Sequence, residues 1–322
     1  MILFFKINKM KLNFLTISKF TCLILLLIFF NSCKYANHHT NMQPSHKLEE
    51  NKKINIALVL SGAGSKGIAH AGVIAAFEKH NIPIDLIVGS SAGSLVGLLY
   101  ADSKNITKVK EILVNASRKD FLHGSPAINF VGATLFNTPS GFKQFDKFLT
   151  TNVKATNFEE LQIPLAVVTT DINSSKSHIF NSGDIKSAIF ASCAIPGLYQ
   201  PVKIGDKLLI DGGVISPVPV KEALQFKPNV TVAVNIVSPP PSDKITNNLS
   251  ILYKSSWINY YSLSLEQESY ADISVNIDTS KYDWLDDLSK KDKIELFELG
   301  LSAGEKLIIN NKQLFSGNKK SK

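Results

Sequence analysis

Cysteine is scarce in this chain, with three in 322 residues: Cys22, Cys33 and Cys193. Cys22 lies inside an apolar segment near the N-terminus and Cys33 just after it. Export with cleavage would therefore leave Cys193 alone in the folded part, which excludes an intramolecular disulfide and a cysteine metal site. A long apolar run is also missing. Residues 20–30 make up about half of the ~20 residues that a membrane-spanning helix needs. Preceded by Lys6, Lys9, Lys11 and Lys19, they have the make-up of a signal-peptide core instead. There is no arginine-rich stripe, and the formal net charge of +8 falls to +4 without the four lysines of residues 1–32. That balance excludes a nucleic-acid footprint and leaves only a weak attraction to anionic lipid headgroups. No acidic loop calls for calcium, and neither a metal nor a cofactor is expected. Nothing in the chain calls for an obligate protein partner.

The N-terminal run ends at Phe30-Asn31-Ser32-Cys33, which resembles a bacterial lipoprotein cleavage site with phenylalanine where leucine is usual. The expectation is a signal peptide over 1–32 and lipidation of Cys33, with Lys34 giving no inner-membrane retention signal. The chain would then be exported and anchored in the bacterial cell envelope, at the outer membrane or periplasmic face. A plain secretory signal or an uncleaved anchor is the alternative. Residues 33–53 are polar, hold His38, His39 and His46, lack apolar periodicity and read as a flexible tether rather than a metal tract.

From Ile54 onward, strand and helix signals alternate. Strands are expected at 54–60, 86–88, 165–170, 207–210 and 230–237, and helices at 66–80, 94–100, 107–117, 141–149, 250–271 and 290–312. With no repeat and no long internal linker, this predicts one α/β domain over 54–312, followed by a basic tail at 313–322. Pro239-Pro240-Pro241 ends a strand and stiffens the connection into the next helix.

Three constellations carry chemistry. Gly89-Ser90-Ser91-Ala92-Gly93 stands between an apolar strand and a helix, the setting of a nucleophile elbow that pushes Ser91 out at the sheet end. Ser61-Gly62-Ala63-Gly64-Ser65-Lys66-Gly67 occupies the first strand-to-helix turn. There, backbone N–H groups and a helix N-terminus favour negative charge. Its Gly-x-Gly-x-x-Gly spacing also suits a dinucleotide, but Asp85 precedes strand 86–88 and so sits at the wrong end of it for a ribose. An oxyanion is the better occupant. Asp211-Gly212-Gly213 follows strand 207–210 and supplies the best acidic partner for Ser91, with Gly212 and Gly213 allowing close approach. No histidine follows Asp211, so the Ser, acid, His order of α/β-hydrolases fails. His70 and His80 lie in the first helix, His123 in a loop and His178 at the start of a short strand.

These blocks, together with Ala191-Ser192-Cys193-Ala194-Ile195-Pro196-Gly197 and Pro217-Val218-Pro219-Val220, resemble the bacterial patatin-like phospholipase family over residues 54–225. The resemblance implies a mainly parallel central sheet flanked by helices in three layers. It also implies a Ser-Asp dyad acting without histidine. Ser91 would be the nucleophile and Asp211 its base, with the N–H groups around Gly62, Ala63, Gly64, Ser65, Lys66 and Gly67 holding the oxyanion. The substrate would be an acyl ester in a phospholipid or lysophospholipid. Alternatives are a generic esterase, acyltransferase or thioesterase, or a ligand-binding lipoprotein without turnover.

Two departures from the family pattern stand out. Ala63 replaces a glycine and is acceptable there only with φ below zero. Lys66 replaces an arginine and is expected to brace the loop or favour anionic headgroups. Phe121, Phe130, Phe136 and Phe142 outline a lid over an acyl pocket, or an ordinary packed loop. Tyr253, Trp257, Tyr260 and Tyr261 share a helix face, where core packing is the default and membrane or acyl contact the alternative.

Overall fold

The computed structural model describes residues 36–37, 53–122, 141–240 and 247–315. The expected signal segment, Cys33, almost all of the expected tether, His123, Phe130, Phe136, Pro241 and residues 316–322 lie outside the described residues.

Nine described strands form one mixed sheet: β1 Ala36–Asn37, β2 Ile56–Leu60, β3 Leu86–Ser90, β4 Leu165–Asp171, β5 Lys176–Phe180, β6 Val202–Ile204, β7 Lys207–Asp211, β8 Val230–Asn235 and β9 Ile273–Asn276. Their order is β1-β6-β7-β4-β3-β2-β8-β9, with β5 paired to β4. β2 pairs in parallel with β3 and β8, and β3 with β4. β7 instead runs antiparallel to both β4 and β6. The expected mainly parallel sheet is present, with an antiparallel corner that strand patterning gives no means to foresee.

The central strands are apolar on both faces because helices cover both. Along β2, Leu58 and Leu60 join Ile87, Val167 and Val232 in the larger cluster, while Ala57 and Val59 join Leu86, Val88 and Ala166 in the smaller one. The helices are α1 Ile68–Lys79, α2 Ala92–Ser103, α3 Ile106–Asn115, α4 Lys143–Asn152, α5 Ile185–Ser192, α6 Val220–Leu224, α7 Asn248–Glu268, α8 Lys290–Asn310 and α9 Lys312–Phe315. Several start on the caps their sequences offer. Asn105 accepts from the Lys108 N–H, Asp184 from Ser187, Asn247 from Ser250 and Ser289 from Asp292, each relieving an otherwise unpaired first-turn donor.

Small residues let α1 and α8 approach closely: a methyl on Gly72 would strike the Phe297 carbonyl, and one on Gly300 the Ala69 carbonyl. α7 is pinned at its C-terminal end. Gln267 accepts from the Val218 N–H and donates to the Ile215 carbonyl, and the Asn235 side chain reaches Ser264 and Glu268. This helix, the 61–67 turn and the ends of β3 and β7 surround the site.

Candidate active site

Leu60 of β2 is in register with Gly89 of β3, so the turns that follow both strands leave the sheet at the same level. Ser91 then bends the chain into α2 with φ 50 and ψ −121. This is a strained geometry for a residue with a side chain, and it points the hydroxyl outward. The flanking glycines have no room for substituents. A methyl on Gly89 would lie 2.5 Å from the Ser94 nitrogen, and one on Gly93 would strike the Leu60 carbonyl. The elbow is braced from the side: the Ser91 N–H donates to Ser192 Oγ at 3.0 Å, and Ser192 donates to the Val168 carbonyl at 2.7 Å.

β4 brings the acid to this serine. Its Val168 is in register with Ser90, and the next residue, Thr169, with Asp211. Because β7 is antiparallel to β4, the end of β7 meets the end of β3. Ser91 Oγ donates to Asp211 Oδ2 at 2.7 Å, and the Gly213 N–H donates to Asp211 Oδ1 at 2.7 Å. Ser91 and Asp211 are each 6% exposed. Burial pushes the Asp211 carboxyl up to about 6, against the opposing pull of the bonds from Ser91 and Gly213. The carboxylate is thereby a stronger base than one in water. Gly212 is confined here, since a methyl on it would strike the Val168 carbonyl.

The 61–67 turn departs from expectation in its backbone. Ala63 has φ 148 and ψ 33, not a negative φ. Alanine therefore holds a conformation that glycine adopts with less strain. The N–H groups of this turn are also not all free. Gly62 donates to the Pro217 carbonyl at 2.9 Å, Ser65 to the Trp284 carbonyl at 2.9 Å and Lys66 to the Ala63 carbonyl at 3.4 Å. Those three are committed to holding the turn, so the expected oxyanion set narrows. Among the described residues, the Ala63 and Gly64 N–H groups have no such carbonyl partner.

Lys66 is 1% exposed. Its Nζ donates to Ser238 Oγ at 2.6 Å and lies 5.7 Å from the centre of the Trp257 ring. Burial lowers its pKa to about 8, partly offset by the carboxylates of Asp283, Asp278 and Asp286. This is the bracing role; a side chain enclosed in this way does not reach a headgroup.

No histidine is hydrogen-bonded to Ser91 or Asp211 among the described residues. His70 is fully buried in α1, with Nε2 2.8 Å from the Ser61 carbonyl, and burial lowers its pKa to about 4. That is a packing role. Asp85 accepts from the N–H groups of Asn55 and Ile56 at 2.9 Å each. It thus serves the start of β2, at the opposite end of the sheet from the turn a dinucleotide would occupy.

An apolar cavity of about 170 Å³ opens beside Ser91, bordered by Gly64, Gly67, Ile68, Leu95, Phe121 and Cys193 and reaching Arg118, Asp287 and Lys293. Phe121 forms part of its wall and packs on Phe145 and Phe148 at 5.3 and 4.9 Å. Phe142 is core instead, stacked on Phe190 and Tyr199. Of the four expected lid phenylalanines, the two described ones are therefore one wall residue and one packing residue.

The family model for patatin-like phospholipases matches residues 58–224, which include both turns and Asp211. The chain belongs to that family. Among curated relatives, a lysophospholipase NTE1 of Scheffersomyces stipitis is 32% identical over 210 residues, covering 63% of this chain and 13% of its own length. The human patatin-like phospholipase domain-containing protein 6 is 30% identical over 206 residues, covering 63% of this chain and 14% of its own. This chain thus spans a small part of the relatives it matches. In fold it is similar to VipD from Legionella pneumophila, with a TM-score of 0.51 and 13% identity over 80% of this chain and 67% of that one.

The patatin-like domain places one group that sequence reasoning assigned to packing. Tyr260 of α7 stacks on Trp257 at 5.3 Å, and Trp257 stacks on Trp284 at 5.9 Å. Trp257 Nε1 donates to the Ser238 carbonyl at 3.1 Å. This stack carries the Tyr260 hydroxyl to the Ser91–Asp211 pair. The only hint in the sequence is the three-residue spacing of Trp257 and Tyr260, which core helices share.

Proposed function

We propose that the domain is a serine acyl hydrolase that cleaves acyl ester bonds of phospholipids or lysophospholipids through Ser91 and Asp211. The observation that carries this reading is the 2.7 Å bond from Ser91 Oγ to a buried Asp211 carboxylate, made on a strained elbow at the mouth of an apolar cavity. Family membership and relatives named as lysophospholipases support the substrate class.

Ser91 Oγ attacks the ester carbon as its proton passes to Asp211, whose raised pKa favours accepting it. The uncommitted Ala63 and Gly64 N–H groups, with the start of α2, are the donors available to the charge that develops on the carbonyl oxygen. The acyl chain occupies the apolar cavity. Collapse expels the alcohol, which takes the proton from Asp211, and water activated by Asp211 then releases the fatty acid. No metal has a place in these steps. Fatty-acid release from lysophosphatidylcholine should exceed that from a short-chain ester of equal concentration. It should fall to background in both Ser91→Ala and Asp211→Ala. Release that persists in Ser91→Ala would refute the assignment.

The segment at 20–33 supports export and anchoring through Cys33 as part of the same proposal. Mass spectrometry of the mature N-terminus tests this: a diacylglyceryl-modified Cys33 is expected, and an unmodified one would overturn it.

A further inference from the structure

The Tyr260 hydroxyl lies beside the Ser91–Asp211 pair and belongs to none of the steps above. A methyl built on Gly62 would collide with it, and one built on Gly213 would be 2.9 Å from it and 3.0 Å from Asp211 Oδ1. The hydroxyl therefore sits between the start of the 61–67 turn and the aspartate, beside the acid that must handle the proton. No hydrogen bond joins it to another described group. Burial and the Asp211 charge push its ionisation upward, so it remains an O–H donor at any working pH.

Ser91 lines the apolar cavity and is hydrogen-bonded to Asp211, beside which the Tyr260 hydroxyl stands. An alcohol that collects its proton from Asp211 must leave past that carboxylate, and the Tyr260 hydroxyl stands beside it. The oxygen that departs in acylation and the water that attacks in deacylation occupy the same place, because each exchanges a proton with the same carboxylate.

We propose that Tyr260 is a third catalytic residue, whose hydroxyl holds the departing ester oxygen during acylation and the attacking water during deacylation. The proposal rests on the hydrolase reading and adds a residue to it. In the first half, the Ser91 Oγ–carbon bond forms and the carbon–alkoxy bond breaks, and the serine proton reaches the alkoxy oxygen through Asp211. In the second, the water oxygen bonds to the carbon, the carbon–Oγ bond breaks, and a water proton returns to Oγ through Asp211. Tyr260 donates a hydrogen bond in both halves and keeps its proton.

Tyr260→Phe tests this, because it keeps the ring stacked on Trp257 and removes only the O–H. The readouts are stopped-flow turnover of a p-nitrophenyl acyl ester, steady-state hydrolysis of lysophosphatidylcholine, and the rate of Ser91 labelling by a fluorophosphonate. Nitrophenolate and fluoride leave without a hydrogen-bond donor. The variant should therefore match wild type in labelling and in the first turnover of the nitrophenyl ester. It should then show a burst of one product per site, with the following steady state and the lysophospholipid rate lower by about 10- to 100-fold, the usual cost of losing a hydrogen bond to a charged oxygen. An unchanged or faster steady state would overturn the proposal, as would a parallel fall in labelling and every phase, which marks a structural role. Wild-type protein that is neither labelled nor active would instead overturn the hydrolase reading itself, and the Tyr260 assignment with it.

Discussion

Asparagine at position 211 should remove turnover and, at neutral pH, make the fold more stable. Asp211 is 6% exposed, and its carboxyl is raised from 3.8 to about 6, chiefly by burial. The folded state therefore resists the charged form. Below the unfolded value both states carry the proton and nothing is lost. As pH rises through 6 the folded state must hold a buried carboxylate that the unfolded chain solvates freely. A shift of that size corresponds to about 3 kcal/mol once both states are ionised. Asp211→Asn keeps an acceptor for the Gly213 N–H and a polar partner for Ser91 without the charge. Its melting temperature should exceed that of wild type by about 6–12 °C at pH 8, taking roughly 2–4 °C per kcal/mol for a domain of this size. The gap should close toward pH 4. Paired thermal scans at pH 4.5, 6 and 8 would show it. A gap that does not depend on pH, or a variant less stable than wild type at pH 8, would refute the argument that the base is held ready at the expense of stability.

The remaining predictions concern the same turns. Hydrolysis by wild type should rise with pH through about 6, as Asp211 loses its proton, and kcat followed from pH 4.5 to 8 would reveal it. Ala63→Gly should stabilise the fold by about 1 kcal/mol, because relief of an alanine at φ 148 exceeds the entropy that glycine loses; urea unfolding measures this, and a loss of stability would count against strain at that residue. Gly93→Ala should cost roughly 1–3 kcal/mol and most of the activity, since its methyl meets the immovable Leu60 carbonyl rather than a side chain that can turn aside. Denaturation midpoints and fatty-acid release would report both losses.

What could be read in advance was what local chemistry dictates. The elbow needs Gly89 and Gly93 for the steric reasons the structure displays, and a strand end followed by Asp211-Gly212-Gly213 leaves few roles for the acid. Other features depend on packing between distant segments. The antiparallel course of β7 is invisible because alternation of apolar residues carries no direction. β9 and β6 are too short for a pattern, and α5 is so apolar that no polar face marks it. Which N–H groups of the 61–67 turn remain free was decided by Pro217 and Trp284, far along the chain. Tyr260 reaches the dyad because Trp257 and Trp284 stack beside it, and nothing local to α7 announces that. Lys66 could be assigned to bracing or to headgroup contact, and only its enclosure by Ser238 and Trp257 decides between them.

The most direct test of the central claim is covalent labelling of the folded domain with a fluorophosphonate, followed by peptide mapping. A single phosphonylated residue, Ser91, is expected, with no label in Ser91→Ala and sharply slowed labelling in Asp211→Ala. A folded domain that takes no label, or takes it at another residue, would contradict the Ser91–Asp211 site.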